Sequence, residues 1–366
     1  MSPIRALIDR EALRANLRTL RRAAQGARVM AVIKANAYGH GITDVAATLA
    51  SGDAESRADA YAVARLDEAL ELRAAGIHSP IVLLEGVFDA GQLAEAARHA
   101  LEIVVHDESQ LAWLEAYSGA HAFKIWLKVD TGMNRLGFRP ERLSAVHQRL
   151  TRLRVPLAEL RLMTHLARAD ELEVDMTAAQ VARFETLRSH WPGTPPVTSI
   201  GNSAGILFWP AARGQWVRPG ISLYGVSPSA ARDATSLGLA PVMSLDSRVV
   251  ALRRVPAGET VGYGGSWQAR RESRIAIVAA GYGDGVPRHL PSGTPVLIDG
   301  VRAPLAGRVS MDMIAVDVTD LPTTTCGSVA RLWGPGLPVE EIAAAAGTIA
   351  YEVLCGVSRR VVREWV

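Results

Sequence analysis

The sequence predicts an α/β protein: an N-terminal (β/α)8 barrel of the TIM type followed by a mainly β C-terminal domain. Three observations point there. Over roughly the first 230 residues, short apolar runs alternate with stretches of helical spacing, making eight strand–helix units, the size of a parallel barrel. After Pro228 strand candidates follow one another closely, with few helical stretches between them. Polar residues gather at the C-terminal ends of the first eight strands, where parallel barrels carry their functional groups. A doubly wound open sheet is the structural alternative for the first part.

Residues 10–24 space Leu13, Leu17 and Leu20 on one helical face. Residues 28–34 form the first barrel strand, an apolar run ending on Lys34. Strands follow at 61–64, 80–84, 102–106, 123–130, 160–166, 197–200 and 216–223. The helices between them include 66–75, which ends at Gly76, 90–100, 108–117, 140–153 and 176–191. In the fifth strand, period-two alternation puts Lys124, Trp126, Lys128 and Asp130 on one face and Phe123, Ile125, Leu127 and Val129 on the other. The apolar set is expected to face the helices and the polar set the barrel interior, with Lys124 at the closed end and Lys128 near the open end. A linker is expected near residues 226–238, dividing a domain of residues 1–235 from one of residues 236–366. The second domain offers strands at 243–253, 274–279, 295–298, 303–309, 313–318 and 329–333, with an Asp299-Gly300 turn and a short helix at 343–346.

Composition narrows the function classes. The chain has 366 residues, 49% of them hydrophobic and 21% charged, so a globular protein is expected and a disordered one is not. A net charge of +3, without a block of basic residues, leaves no footprint for nucleic acid. Two cysteines, Cys326 and Cys355, make neither a disulfide framework nor a metal cluster, and no metal is expected. The N-terminus is interrupted by charge, and no apolar stretch is long enough to span a membrane, so a cytoplasmic protein is expected.

Of the forty basic residues only three are lysines, Lys34, Lys124 and Lys128. Unlike arginine, lysine can lose its proton and act as nucleophile or base. A deprotonatable lysine at the mouth of a barrel suggests a Schiff base, for which pyridoxal phosphate is a carbonyl partner. Its phosphate needs N–H donors and hydroxyls, and Gly39, Gly41, Asn202-Ser203-Ala204-Gly205 and Pro219-Gly220-Ile221 can supply them. His40, His78 and His289 are expected on loops or surfaces rather than in catalysis.

Ordered blocks along the whole chain then resemble the alanine racemase family, fold-type III pyridoxal phosphate enzymes. The blocks are 31–41 around Lys34, Lys128 to Phe138, Met163-Thr164-His165-Leu166, Gly201-Asn202-Ser203-Ala204 and Val217 to Gly225. In the second domain they are Val261-Gly262-Tyr263-Gly264, Ala280 to Gly285, Val309 to Met313 and Tyr351-Glu352. The resemblance implies racemisation of L- and D-alanine by two bases. Lys34 holds the cofactor and serves one face of the substrate. Tyr263, donated by the partner in a homodimer with shared active sites, serves the other. A free tyrosine ionises near pH 10, so it needs help at neutral pH, and His165 and Arg218 are the implied polarising groups. With Lys34, the implied cofactor contacts are Tyr38, His165, Asn202, Ser203, Arg218, Gly220, Ile221 and Tyr351, Arg218 facing the ring nitrogen. Arg135, Met311 and Tyr282 are the implied substrate contacts. Lys128 is the implied carbamylation site, where an anionic carbamate would pair with Arg135. D-alanine for peptidoglycan, or its catabolism, is the implied role. A broad-specificity amino-acid racemase on the same fold is the alternative.

Overall fold

Eight parallel strands close on themselves in the computed structural model, which describes residues 3–366. β1 (Arg5–Ile8) precedes them. The barrel strands are β2 (Arg28–Val32), β3 (Ala60–Val63), β4 (Ile81–Leu83), β5 (Glu102–Val105), β6 (Phe123–Lys128), β7 (Leu157–Met163), β8 (Thr198–Asn202) and β9 (Trp216–Arg218). β9 pairs back onto β2 through Arg28 opposite Trp216 and Val29 opposite Val217, which closes the ring and excludes the open sheet. Four of these strands, β3, β4, β5 and β9, are buried along their whole length, as expected where helices cover the outside and packed side chains fill the inside.

The barrel interior is filled rather than hollow. The Arg161 guanidinium lies 4.9 Å from the Trp126 ring centroid and 5.5 Å from that of Trp216. Glu102 accepts hydrogen bonds from Arg161 Nη1 and Trp126 Nε1, both at 2.9 Å. Lys124, with Nζ 3.9 Å from Glu102 Oε1, adds a second cation from the exposed rim of the closed end. An unpaired buried carboxylate would be strongly destabilising. Lys124 therefore belongs to this charged plug and not to the open mouth.

Beyond the barrel come β10 (Met243–Val255), β11 (Thr260–Val261), β12 (Trp267–Gln268), β13 (Ser273–Val278), β14 (Pro295–Ile298), β15 (Val301–Pro304), β16 (Ile314–Asp317), β17 (Val329–Trp333) and β18 (Val362–Trp365). They form a mainly β unit in which β10 is the spine, pairing with β1, β13 and β17. Two short helices, Val339–Ala345 and Ala350–Cys355, pack on each other, the second also against the segment Lys34–Tyr38. β1 joins this sheet, antiparallel to β10 and parallel to β18, so residues 5–8 pair across the division we propose at residues 235/236. Among the described residues no helix is long and apolar enough to cross a membrane.

Several predicted elements shift in detail. The first barrel strand stops at Val32, and the last stops at Arg218, where Pro219-Gly220 turns the chain into Ile221–Tyr224. An additional helix, Ile42–Ala50, follows the Lys34 segment.

Candidate active site

At the open end of the barrel a cavity of about 410 Å³, within the range of small-ligand sites, opens among the C-terminal strand ends. It is lined by Lys34, Tyr38, Lys128, Arg135, His165, Asn202, Ser203, Arg218, Gly220, Ile221 and Tyr351, so the structure brings these predicted residues together. The barrel explains why: Lys34 follows β2, Lys128 ends β6, His165 follows β7, Asn202 ends β8 and Arg218 ends β9.

The electrostatics of the cavity favour an anion. Four cationic side chains line it, against the single carboxylate of Glu85. Burial, with Arg218, Arg135 and Lys34 nearby, lowers the Lys128 ammonium to about 8. Arg218 is buried and brought down to about 10 by desolvation, so it stays charged at neutral pH. It donates from Nη1 to Ser199 Oγ (2.5 Å) and from Nη2 to the carbonyls of Thr164 (2.6 Å) and Ile200 (3.1 Å). Nη2 also lies 3.3 Å from His165 Nδ1. Burial and then Arg218 hold the His165 imidazole well below its usual range, so it is neutral. A donor from Arg218 makes Nδ1 an acceptor and leaves the proton of His165 on Nε2.

The same cavity holds a cradle of hydroxyls and amides. Ser203 Oγ accepts from the N–H of Gly220 (3.0 Å) and of Ser222 (3.3 Å), which leaves its hydroxyl proton to donate. A Cβ at Gly220 would come within 2.5 Å of the Tyr38 hydroxyl, so this position needs glycine for the ring to sit where it does. Tyr38 packs on Tyr224 at 4.8 Å between centroids and beside Tyr351 at 5.9 Å. Burial pushes the Tyr351 phenol up to about 12 and Tyr38 higher still, so both remain neutral donors. Asn202 lines the cavity and also uses its Oδ1 to cap the helix Ser203–Phe208 through Gly205 N–H (2.9 Å).

Lys34 begins an unusual segment. Ala35, Asn36, Ala37 and Tyr38 all have φ of 52–53°, a turn of left-handed helix made without glycine. Such conformations cost about 1–2 kcal/mol per L-residue, so neighbouring contacts must offset them. The Ala35 N–H donates to Glu68 Oε1 (2.6 Å), and Asn36 Oδ1 accepts from Ile42 N–H (2.9 Å). Arg363, from β18, donates to the Gly39 carbonyl (2.7 Å). His40, expected on a loop or surface, lies in a turn but is fully buried: its Nδ1 is 3.0 Å from the carbonyl oxygens of both Ala37 and Tyr38, and its ring stacks on Tyr224. Sequence reasoning missed Glu68, Arg363 and this role of His40. The signal for His40 was its place in the same glycine-flanked stretch as Lys34.

Tyr263, Tyr282 and Met311 do not line this cavity within one chain. They stand 70%, 41% and 54% exposed on the second domain. Tyr263 is presented on a turn whose flanking Gly262 and Gly264 have positive φ. The Tyr282 and Met311 loops are tied together by Tyr282 N–H to the Ser310 carbonyl (3.0 Å) and by Arg360, which reaches both Asp284 and Asp312 at 2.7 Å.

Comparison with known proteins covers both parts of the chain. Residues 8–228 match the family model "Alanine racemase, N-terminal domain" and residues 242–365 "Alanine racemase, C-terminal domain". An alanine racemase of Azoarcus sp. is 51% identical over 363 residues, 99% of each chain. A catabolic alanine racemase of Pseudomonas putida is 48% identical over 366 residues, 100% of this chain and 99% of the relative. The crystal structure of the biosynthetic alanine racemase of Pseudomonas aeruginosa superposes with a TM-score of 0.95 at 44% identity, covering all of both chains. By fold, by both domain matches and by full-length identity, the chain belongs to the alanine racemase family and is an isomerase.

Proposed function

We propose that this enzyme interconverts L- and D-alanine with pyridoxal phosphate, using Lys34 and Tyr263 as bases on opposite faces of the substrate. The observation that carries this reading is the cavity itself: Lys34 lines it together with the hydroxyls of Ser203, Tyr38 and Tyr351, among cations that suit a phosphate and a carboxylate. The residues fit the group. Ser203, Tyr38 and Tyr351 offer hydroxyl donors, Lys34 an amine, and Arg135 a planar fork for a carboxylate.

Bound pyridoxal phosphate supplies an electron-withdrawing ring that acidifies the α-proton of an amino acid. Lys34 then takes or returns that proton on one face. The opposite face needs a second group, and Tyr263, exposed and outside its own chain's cavity, is available to another subunit. We therefore include a homodimer with shared sites in the proposal, with Met311 and Tyr282 entering beside Tyr263. His165, neutral and receiving a hydrogen bond from Arg218, donates from Nε2 and lowers the cost of a phenolate. Arg218 keeps its proton, so it would hold a ring nitrogen without protonating it. The Lys128 amine, partly neutral near pH 8, can take up carbon dioxide, releasing a proton and leaving an anionic carbamate to pair with Arg135. We place the enzyme in the cytoplasm, where D-alanine would serve peptidoglycan or be catabolised.

The test is direct. Purified protein, pyridoxal phosphate and L-alanine should lose optical rotation with time. A protein that holds the cofactor and leaves L-alanine unracemised would refute the proposal.

A further inference from the structure

We propose that His40 is a positioning residue whose Nδ1–H clamps the left-handed turn after β2, so that Lys34 and Tyr38 meet the same cavity. This rests on the reading of Lys34 and Tyr38 given above. Four consecutive L-residues with positive φ are disfavoured by contact of Cβ with the following carbonyl. The turn therefore persists only where the surroundings hold it. Its carbonyls of Ala37 and Tyr38 converge on one atom, His40 Nδ1, 3.0 Å from each. Two acceptors on one nitrogen require that nitrogen to carry the proton, which fixes the tautomer.

The rest of the ring agrees with a rigid prop rather than a proton carrier. Nε2 is buried and has no hydrogen-bond partner among the described residues. The imidazole stacks on Tyr224 at 4.4 Å, and Tyr224 in turn packs against Tyr38 at 4.8 Å. One side chain thus touches the turn twice: directly at two carbonyls, and through Tyr224 at the Tyr38 ring. Arg363 closes the same turn from the second domain at the Gly39 carbonyl, where a Cβ would collide with the Leu354 carbonyl oxygen at 2.1 Å. The Lys34 turn is consequently built by both domains, with His40 as its internal clamp.

Variants separate the clamp from mere packing. His40→Phe keeps a ring against Tyr224 and removes the donor; His40→Asn loses the ring and keeps a donor at the Nδ1 position. In equilibrium dialysis of the full-length enzyme against pyridoxal phosphate, His40→Phe should raise Kd about 10- to 100-fold, the effect of leaving buried carbonyls without a donor. His40→Asn should stay within about threefold of the parent, since the clamp's hydrogen bonds survive. Ala35→Gly, added to His40→Phe, removes a Cβ from the left-handed turn and should recover several-fold of the loss, whether or not the single variant folds. A parent-like Kd for folded His40→Phe overturns the clamp. So does His40→Asn as impaired as His40→Phe, or no recovery with Ala35→Gly. Borohydride reduction and peptide mapping of the parent keep the two readings apart. Label on a lysine other than Lys34 overturns the site reading and this proposal with it. Label on Lys34 with a parent-like His40→Phe removes this proposal alone.

Discussion

Gly220→Ala is the sharpest probe of the cofactor cradle. The substitution tests the space beside the Tyr38 ring. The new Cβ would lie 2.5 Å from the Tyr38 hydroxyl, about 0.9 Å short of the 3.4 Å at which ordinary contact begins. Tyr38 cannot retreat into the core, because Tyr224 is packed against it there. The ring must instead swing by nearly an ångström towards the cavity, where the phosphate is expected. Displacements of that size in a site cost about 10²-fold in rate, and overpacking costs about 1–3 kcal/mol of stability. We therefore expect kcat/KM for L-alanine to fall about 10²-fold, with weaker uptake of pyridoxal phosphate and a folded protein by circular dichroism. Wild-type kcat/KM and cofactor affinity in Gly220→Ala would show that Tyr38 and Gly220 do not form the cradle.

Three further outcomes are expected. Lys34→Ala should fold, fail to retain cofactor after borohydride treatment, and lose about 10²–10⁴-fold in racemisation, the usual weight of a positioned acid/base; retained activity would exclude Lys34 as the base. Tyr263→Phe should lose activity on the same scale while binding cofactor normally. Mixed and reassociated with Lys34→Ala, it should recover about a quarter of the parent activity, because half the dimers are hybrids with one intact site of two; no recovery would refute sites shared across subunits. Lys128→Met in cofactor-free protein should raise the denaturation midpoint at pH 7. The folded-state value of about 8 lies below the usual lysine range, so the charged form is disfavoured on folding. Stability of the parent should then rise with pH from about 8 to about 10.5, and the advantage of Lys128→Met should shrink over that window. A pH-independent advantage would contradict the stated environment of Lys128.

The charged plug shows how far periodicity reaches. The alternation in β6 pointed Lys124, Trp126 and Lys128 inward, and Trp126 and Lys128 are indeed buried. It did not disclose that Glu102 on β5 and Arg161 on β7 meet Trp126 there, because those contacts join residues 24 and 59 positions apart. The partner of Lys124 follows only from the placement of Glu102 beside it.

By sequence alone the first part reads as eight strand–helix units and the second as mainly β, and candidate site residues are named at the strand ends. Period and strand order go that far, and the pairing of β9 with β2 then closes the barrel and excludes an open sheet. Tertiary structure alone decides three things. It sends β1 into the second domain's sheet, since an exposed edge beside β10 needs a partner and local sequence does not say which. It puts Tyr263, Tyr282 and Met311 outside the cavity of their own chain. It winds the residues after Lys34 the left-handed way, against their intrinsic preference, because Glu68 and Arg363 reach that turn from distant parts of the chain while the buried His40 closes it from within. Local propensity disfavours such a turn, and hydrogen bonds that depend on the packed structure offset it.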